Sequence, residues 1–258
     1  HAQAYAELER ISQLIHAPVT TSWAARGALP ENDPLAWSMV HIKANNSLRN
    51  SADTVLCLGA RMGETDWWGK PPYWARPEAQ KFIQVDLEEQ AFGRTRPIDR
   101  GIVSDIGTFL RQLIELLEQR GEEPKIEERR REVEKLAKEK EKHRRELDKK
   151  LEDREAPMVT GHVSRACREH FPEDAIAVFD GGNTAVWGNF FYDIREPGTL
   201  LTTNHMGHLG AGLGQALGAA AAFPDREVFC MIGDGAMGFH PQEIETAVCE
   251  RLAETDAY

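Results

Sequence analysis

The sequence predicts an α/β protein: two doubly wound parallel-sheet domains joined by a long charged helix. Three observations lead there. Short apolar runs ending in an acid or a glycine alternate with amphipathic helical stretches, the pattern of parallel strands connected through helices. The alternation breaks once, over residues 121–155, where Glu, Lys and Arg predominate, and then resumes. The length of 258 residues suits about two domains. We therefore divide the chain into a domain at 1–120, a charged helical linker at 121–155 and a second domain at 156–258.

The elements follow in order. "AYAELERISQLI" places Tyr5, Leu8, Ile11, Leu14 and Ile15 at helical spacing. "APVTTSW" reads as a short strand and "RGALPENDP" as a turn-rich loop. "TVLCLG" is a buried strand stopped by glycine, and "KFIQVDLE" is another, ending at Asp86. "DIGTFLRQLIELLEQ" is an amphipathic helix opened by Asp105. In the charged stretch Ile126, Val133, Leu136, Leu147 and Leu151 form a thin apolar stripe. Opposite charges recur there three or four residues apart, which supports a solvated helix. It reads either as a linker lying on the surface or as a coiled-coil partner, although Lys140 and His143 interrupt the stripe where a seam needs leucine. Beyond it, "VSRACREHF" is helical and "AIAVFDGGNT" is a strand ending at Asp180 and a Gly-Gly turn. "GTLLTTNHMGHLGAGLGQALGAAAAF" is a short strand, a polar loop and a small-residue helix. "EVFCMIGDG" is a strand running into Asp234. "HPQEIETAVCER" is a helix with Pro241 near its first turn, a favoured place for proline.

The bulk numbers exclude several functions. A net charge of -11 argues against nucleic acid or an anionic membrane as partner. No apolar run approaches the roughly 18 residues of a spanning helix, and no signal peptide is visible. Cys57, Cys167, Cys230 and Cys249 have neither zinc nor redox spacing, and two of them lie in strand patterns. A reducing compartment, the cytoplasm, is the expectation.

Two strands end in acid-plus-glycine loops, "VFDGGNT" and "MIGDGAM". Ligands of open parallel sheets sit beyond the carboxyl ends of strands. Glycines there let backbone N–H groups approach an anion, and a following helix adds the positive end of its dipole. An acid at the end of a buried strand requires a cation beside it. Mg²⁺, which favours carboxylate and phosphate oxygens, would let Asp234 hold a diphosphate. The competing reading has Gly233 and Gly235 shaping a tight turn while Asp234 caps the next helix. His205 and His208 flank the polar loop, either as proton donors to a developing alkoxide or as helix-capping and solvent-facing groups. Trp67, Trp68, Tyr73 and Trp74 form an aromatic cluster that lines a cofactor or acyl-CoA groove or fills a subunit interface.

"GDGAMGFHPQEIETAV", preceded by "DGGNTAVW" and "NHMGHLGAGLGQALGAA", resembles the diphosphate-binding domain of thiamine diphosphate enzymes, especially the acetolactate synthase and 2-hydroxyacyl-CoA lyase group. "APVTTSWAARGALPENDPL", "ADTVLCLGARMGE" and "FIQVDLE" look like that family's middle domain, where some relatives bind FAD or ADP. The resemblance implies thiamine diphosphate and Mg²⁺ as cofactors. Asp234 matches the magnesium-binding aspartate. Gly235 and Ala236 match positions whose backbone contacts the diphosphate, beside Gly233. Asn183 and Thr184, after Gly182, match the earlier phosphate-contacting loop. Gly207 matches the glycine whose carbonyl accepts a hydrogen bond from the aminopyrimidine, and Leu209 the apolar wedge that bends the cofactor. The implied chemistry is cleavage or formation of C–C bonds next to a carbonyl, on a small 2-oxo acid or 2-hydroxyacyl substrate.

Two parts of the family pattern are not found. A second metal ligand, usually asparagine, is expected near or beyond Tyr258, and "RLAETDAY" does not supply it. The pyrimidine-binding domain that carries the catalytic glutamate is also absent. The expectation is an internal portion of a larger enzyme, or a homo- or hetero-oligomer completed by another polypeptide. The alternative is a cofactor-binding or scaffold portion without chemistry of its own.

Overall fold

The computed structural model describes residues 2–121, 125–203 and 206–250. In chain order the elements are α1 (Tyr5–Leu14), β1 (Val19–Thr20), β2 (Ala36–Trp37), α2 (Ile42–Ser51), β3 (Thr54–Leu58), β4 (Lys81–Asp86), β5 (Arg100–Val103), α3 (Ile106–Arg120), α4 (Ile126–Asp148) and α5 (Gly161–His170). They continue with β6 (Ile176–Phe179), α6 (Asn183–Phe191), β7 (Leu200–Thr202), α7 (Ala211–Ala222), β8 (Val228–Met231), α8 (Asp234–Met237) and α9 (Glu243–Cys249). Every described strand pair is parallel, so the α/β class holds. The sheets number three among the described residues rather than the two expected: β1-β2, β3-β4-β5 and β7-β6-β8. The extra sheet arises because β1 and β2 pair over two residues each and bond to no other strand.

By contact the chain divides into two compact units. The first takes His1–Trp23 and Pro34–Arg145; the second takes Ala24–Asp33 and Glu146–Tyr258. In the first unit Phe82 and Val85 of β4 and Leu110 of α3 are fully enclosed. Asp105 caps α3, its carboxylate accepting the Thr108 N–H at 2.9 Å. Val133 and Leu136 of α4 are buried, and Leu136 packs with Trp37, Ala44 and Leu48. Lys140, an interruption of the apolar stripe in sequence, lies 5.1 Å from the Trp37 ring and donates to the Ala36 carbonyl at 2.8 Å. Its long stem and charged tip thus cover an aromatic that a leucine would otherwise cover.

The aromatic cluster of this unit is mostly internal. Trp74 is buried with Cys57, Met62 and Phe82, and its indole N–H donates to the Asp66 carbonyl at 2.9 Å. Trp67 stacks on Tyr73 with ring centres 4.5 Å apart. The Arg49 guanidinium sits 5.5 Å from Trp67 and 4.9 Å from Trp74. Of the four aromatics only Trp68, at 45 % exposure, faces largely outward.

The second unit is covered on both faces of its sheet. Residues of a strand alternate sides. Ile176 and Val178 of β6 pack with Ala216, Ala219 and Ala220 of α7. Ala177 and Phe179 pack oppositely, with Tyr192, Ile194, Phe229 and Met231. That is the doubly wound arrangement. The 24–33 segment completes this unit through Arg26, which donates to Glu31 Oε1 at 2.8 Å, to Asn189 Oδ1 at 2.7 Å and to the Tyr192 carbonyl at 3.0 Å. Glu31 in turn accepts the Ile194 N–H at 2.9 Å.

Candidate functional site

The strand order β7-β6-β8 reverses at β6. The loops leaving β6 and β8 therefore border the crevice in which ligands of parallel sheets bind. Three short segments meet at this edge of the second unit: 180–184 after β6, 206–210 before α7, and 233–239 after β8. Glycine allows their close approach. A methyl group built on Gly181 would lie 2.5 Å from the Gly207 carbonyl oxygen and 3.0 Å from Leu209 Cδ2. One built on Gly210, whose φ is +89°, would lie 2.7 Å from Phe239 Cβ.

Asp180 is the buried acid of the site, with 0 % exposure. Its Oδ1 accepts the Gly181 N–H at 2.7 Å, and both its oxygens accept the Gly210 N–H at 3.0 Å. Its Oδ2 also accepts the Gly212 N–H at 2.7 Å. Backbone donors thus stand in for the cation that a buried carboxylate otherwise requires. Cys230 is beside it: a methyl on Gly212 would lie 2.8 Å from Asp180 Oδ2 and 3.2 Å from Cys230 Sγ. Burial, and then the Asp180 charge, pushes the Cys230 thiol up to about 12, so it is a neutral packing group.

Asp234 is exposed, which corrects the expectation that it is a buried acid at a strand end. It is the first residue of α8, not its cap; that position is Gly233. No hydrogen bond to its carboxylate is seen among the described residues. The reading of Asp234 as a helix cap is therefore overturned. So is the expected dipole, since α8 has four residues and so few aligned peptides. Two longer helices begin at this edge: α6, of nine residues, at Asn183 with Gly182 as its cap, and α7, of twelve, at Ala211 with Gly210 as its cap.

The remaining predicted residues distribute as follows. Asn183 is exposed and Thr184 half-buried at the start of α6. Thr184 Oγ1 would lie 3.5 Å from a methyl on Gly233, so the first and third segments adjoin. Nothing lies within 4 Å of a methyl on Gly235, and Ala236 is buried. Leu209, 41 % exposed, sets Cδ2 against the Gly181–Gly182 step, and Gly207 is exposed beside it. His208 is exposed. His205 and the "RLAETDAY" segment lie outside the described residues. No group of three or more His, Cys, Asp or Glu positioned for a metal occurs among the described residues. No helix there is long and apolar enough to cross a membrane. Asp180 is the residue whose role sequence reasoning missed. Its signal was the strand-acid-glycine pattern that drew attention to Asp234.

Comparison with known proteins agrees with this geometry. The family model for the thiamine pyrophosphate enzyme central domain matches residues 1–113, and that for the C-terminal TPP binding domain matches 180–255. The chain is 29 % identical to the acetolactate synthase isozyme 1 large subunit of Escherichia coli, over 95 % of this chain and 42 % of that protein. It is 28 % identical to sulfoacetaldehyde acetyltransferase of Rhodobacter capsulatus, over 94 % of this chain and 44 % of that one. It is 27 % identical to human 2-hydroxyacyl-CoA lyase 1, over 95 % and 42 %. A solved structure from Mycobacterium smegmatis, assigned as thiamin diphosphate-dependent, superposes with a TM-score of 0.70 at 21 % identity, over 96 % of this chain and 46 % of that one. The chain thus spans less than half the length of these relatives. Two family models in the family's own order, laid over a parallel-sheet fold whose glycine loops meet at the strand reversal, place the chain in the thiamine pyrophosphate enzyme family.

Proposed function

We propose that this chain forms the middle and diphosphate-binding parts of a thiamine diphosphate- and magnesium-dependent enzyme. Its reaction would cleave or form C–C bonds adjacent to a carbonyl, in the manner of acetolactate synthase or 2-hydroxyacyl-CoA lyase. The observation that carries the reading is Leu209, held against Gly181–Gly182 between two loops that could grip a diphosphate. The donor set fits such a group. Asp234 offers an exposed carboxylate, Thr184 a hydroxyl nearby, and the Gly235 position is open space. A single acid suits Mg²⁺, which binds through one or two carboxylates together with phosphate oxygens.

Thiamine diphosphate, when bound, supplies the nucleophilic carbon and the electron sink of the reaction. The protein's part is placement. Asp234 would carry the metal charge that neutralises the diphosphate. Asn183 and Thr184, at the start of α6, would hold phosphate oxygens with help from the helix end. The Gly207 carbonyl would orient the far ring, and Leu209 would set the angle between the rings. Val186, Leu209 and Phe239 are exposed apolar side chains beside these loops. They support a covering partner, which we take to be a pyrimidine-binding domain or subunit bringing the catalytic glutamate. The four free cysteines accord with a reducing compartment such as the cytoplasm. A FAD or ADP site in the first unit belongs to the same proposal. The substrate is a small 2-oxo acid or 2-hydroxyacyl compound.

The test is calorimetry with thiamine diphosphate and Mg²⁺ on the chain together with its pyrimidine-binding partner. Binding that depends on Mg²⁺ and vanishes in Asp234→Ala is the expected result. Equal affinity in parent and variant would remove Asp234 from the site. A second reading, a cofactor-binding portion without catalysis, draws on the single acid of the exposed site. It predicts binding without turnover in the same assembly.

A further inference from the structure

We propose that Asp180 is the positioning residue for the wedge. Its buried carboxylate ties the turn carrying Leu209 to the loop that leaves β6. The proposal rests on the reading of Leu209 above but is argued from a separate set of contacts. One side chain gathers N–H groups from three backbone positions: Gly181 at the end of its own strand, Gly210 at the entrance to α7, and Gly212 within the first turn of α7. The donors at Gly210 and Gly212 are 30 and 32 residues away in sequence. No backbone ladder joins these two segments, because β6 pairs with β7 and β8 and the 206–210 turn belongs to no strand.

The carboxylate does what the sheet cannot. It satisfies amides at the start of α7 that have no partner inside the helix. In doing so it fixes the distance between Gly210 and Gly181. Leu209 immediately precedes Gly210, and its Cδ2 rests on the Gly181–Gly182 step. The anchor and the wedge are therefore adjacent residues of one turn. Hydrogen bonds to a charged acceptor are stronger than those to a neutral one. An amide in place of the carboxylate keeps the volume but presents an NH2 group where N–H donors already point.

The first measurement is amide hydrogen–deuterium exchange on the full chain, without cofactor, comparing Asp180→Asn with the parent. Residues 207–212 should exchange roughly tenfold faster or more, the size expected from weakening hydrogen bonds to a charged acceptor. The amides of β6 and β8 should keep their parent rates. Unchanged exchange at 207–212, or an equal rise throughout the unit, would overturn the proposal. Should Asp180→Asn fail to fold, Gly212→Ala decides, because its methyl would press on Asp180 Oδ2 and loosen the same turn while leaving the acid in place.

The second measurement uses the assembled protein with thiamine diphosphate and Mg²⁺. Asp180→Asn should hold its affinity within about threefold while cofactor C2 hydrogen exchange slows roughly tenfold to hundredfold. A parallel loss of both, or loosened amides with C2 exchange unaltered, would sever Asp180 from Leu209. If the parent itself binds no thiamine diphosphate, the cofactor reading fails, and the amide-exchange measurement still decides whether Asp180 holds the turn.

Discussion

Asp180 and Asp234 stand in one setting in the sequence, an acid after a short apolar strand and next to a glycine, yet the first is enclosed and the second open to solvent. The difference lies in what comes over the strand end. The small residues of α7 bring backbone amides down onto Asp180. Asp234 lies in a single helical turn with open space at Gly235. That contrast suits one acid to structure and the other to a ligand. Leu209→Ala in the assembled protein should change thiamine diphosphate affinity little, because the diphosphate contacts we propose are made by other residues. It should slow C2 hydrogen exchange by roughly a hundredfold, the scale of misplacing reacting groups by about an ångström. Unchanged exchange would make Leu209 ordinary packing. The thiols offer an independent check. Cys57 and Cys230 are both pushed up to about 12 by burial, so both remain thiols at pH 8. Cys249 is exposed. Brief iodoacetamide treatment with peptide mapping should modify Cys249 first and leave Cys57 and Cys230 intact.

Among the elements, α1 and α3 meet through exposed pairs, Arg10 with Glu118 and Arg111 with Glu7. Asp105 adds the cap of α3. The backbone hydrogen bond from Thr108 holds Asp105 below the usual carboxylate range, and a backbone hydrogen bond followed by Arg111 does the same for Glu7. Both acids titrate lower when folded than when unfolded. Their stabilisation is fully present above the ordinary carboxylate range and is lost as pH falls through the lowered folded values. Thermal melts across acid pH should show Asp105→Ala losing less stability than the parent on acidification. Equal pH slopes would remove the cap from the balance. The strands legible in sequence were β3, β4, β6 and β8, with their compact apolar runs, and the short β1 and β7. The edge strand β5 escaped because Arg100, Gly101 and Val103 are exposed and show no alternation. The helix α2 escaped because it buries Asn45 and Arg49, which a hydrophobic pattern scores as surface. At the site, the glycines and Asp234 were legible from the motif and its resemblance. The role of Asp180 was not, since its donors come from a turn 30 residues downstream.

At the scale of the whole chain, residues 24–33 lie between β1 and β2 in sequence but belong to the second unit. The Arg26–Glu31 pair is almost wholly enclosed there. Deleting the segment takes away both charges together and leaves the Asn189 side-chain oxygen, the Tyr192 carbonyl and the Ile194 N–H without these partners; a buried polar group left unsatisfied costs about 1–3 kcal/mol. A fragment of residues 146–258 should therefore melt well below the second unit of the full chain, and adding a peptide of residues 24–33 should raise its midpoint. A fragment indifferent to the peptide would show the segment to be dispensable. The same arrangement imposes an order on synthesis. Arg26 leaves the ribosome 163 residues before Asn189, its hydrogen-bond partner. At about 5–20 residues per second that interval is roughly ten to thirty seconds. Throughout it, a nascent arginine and glutamate must stay solvated and uncommitted while β1 and β2 on either side of them are already available to pair. The second unit takes its Arg26 and Glu31 contacts from a segment made long before the rest of it, so a translational pause after residue 145 would lengthen the time that segment waits for its partners.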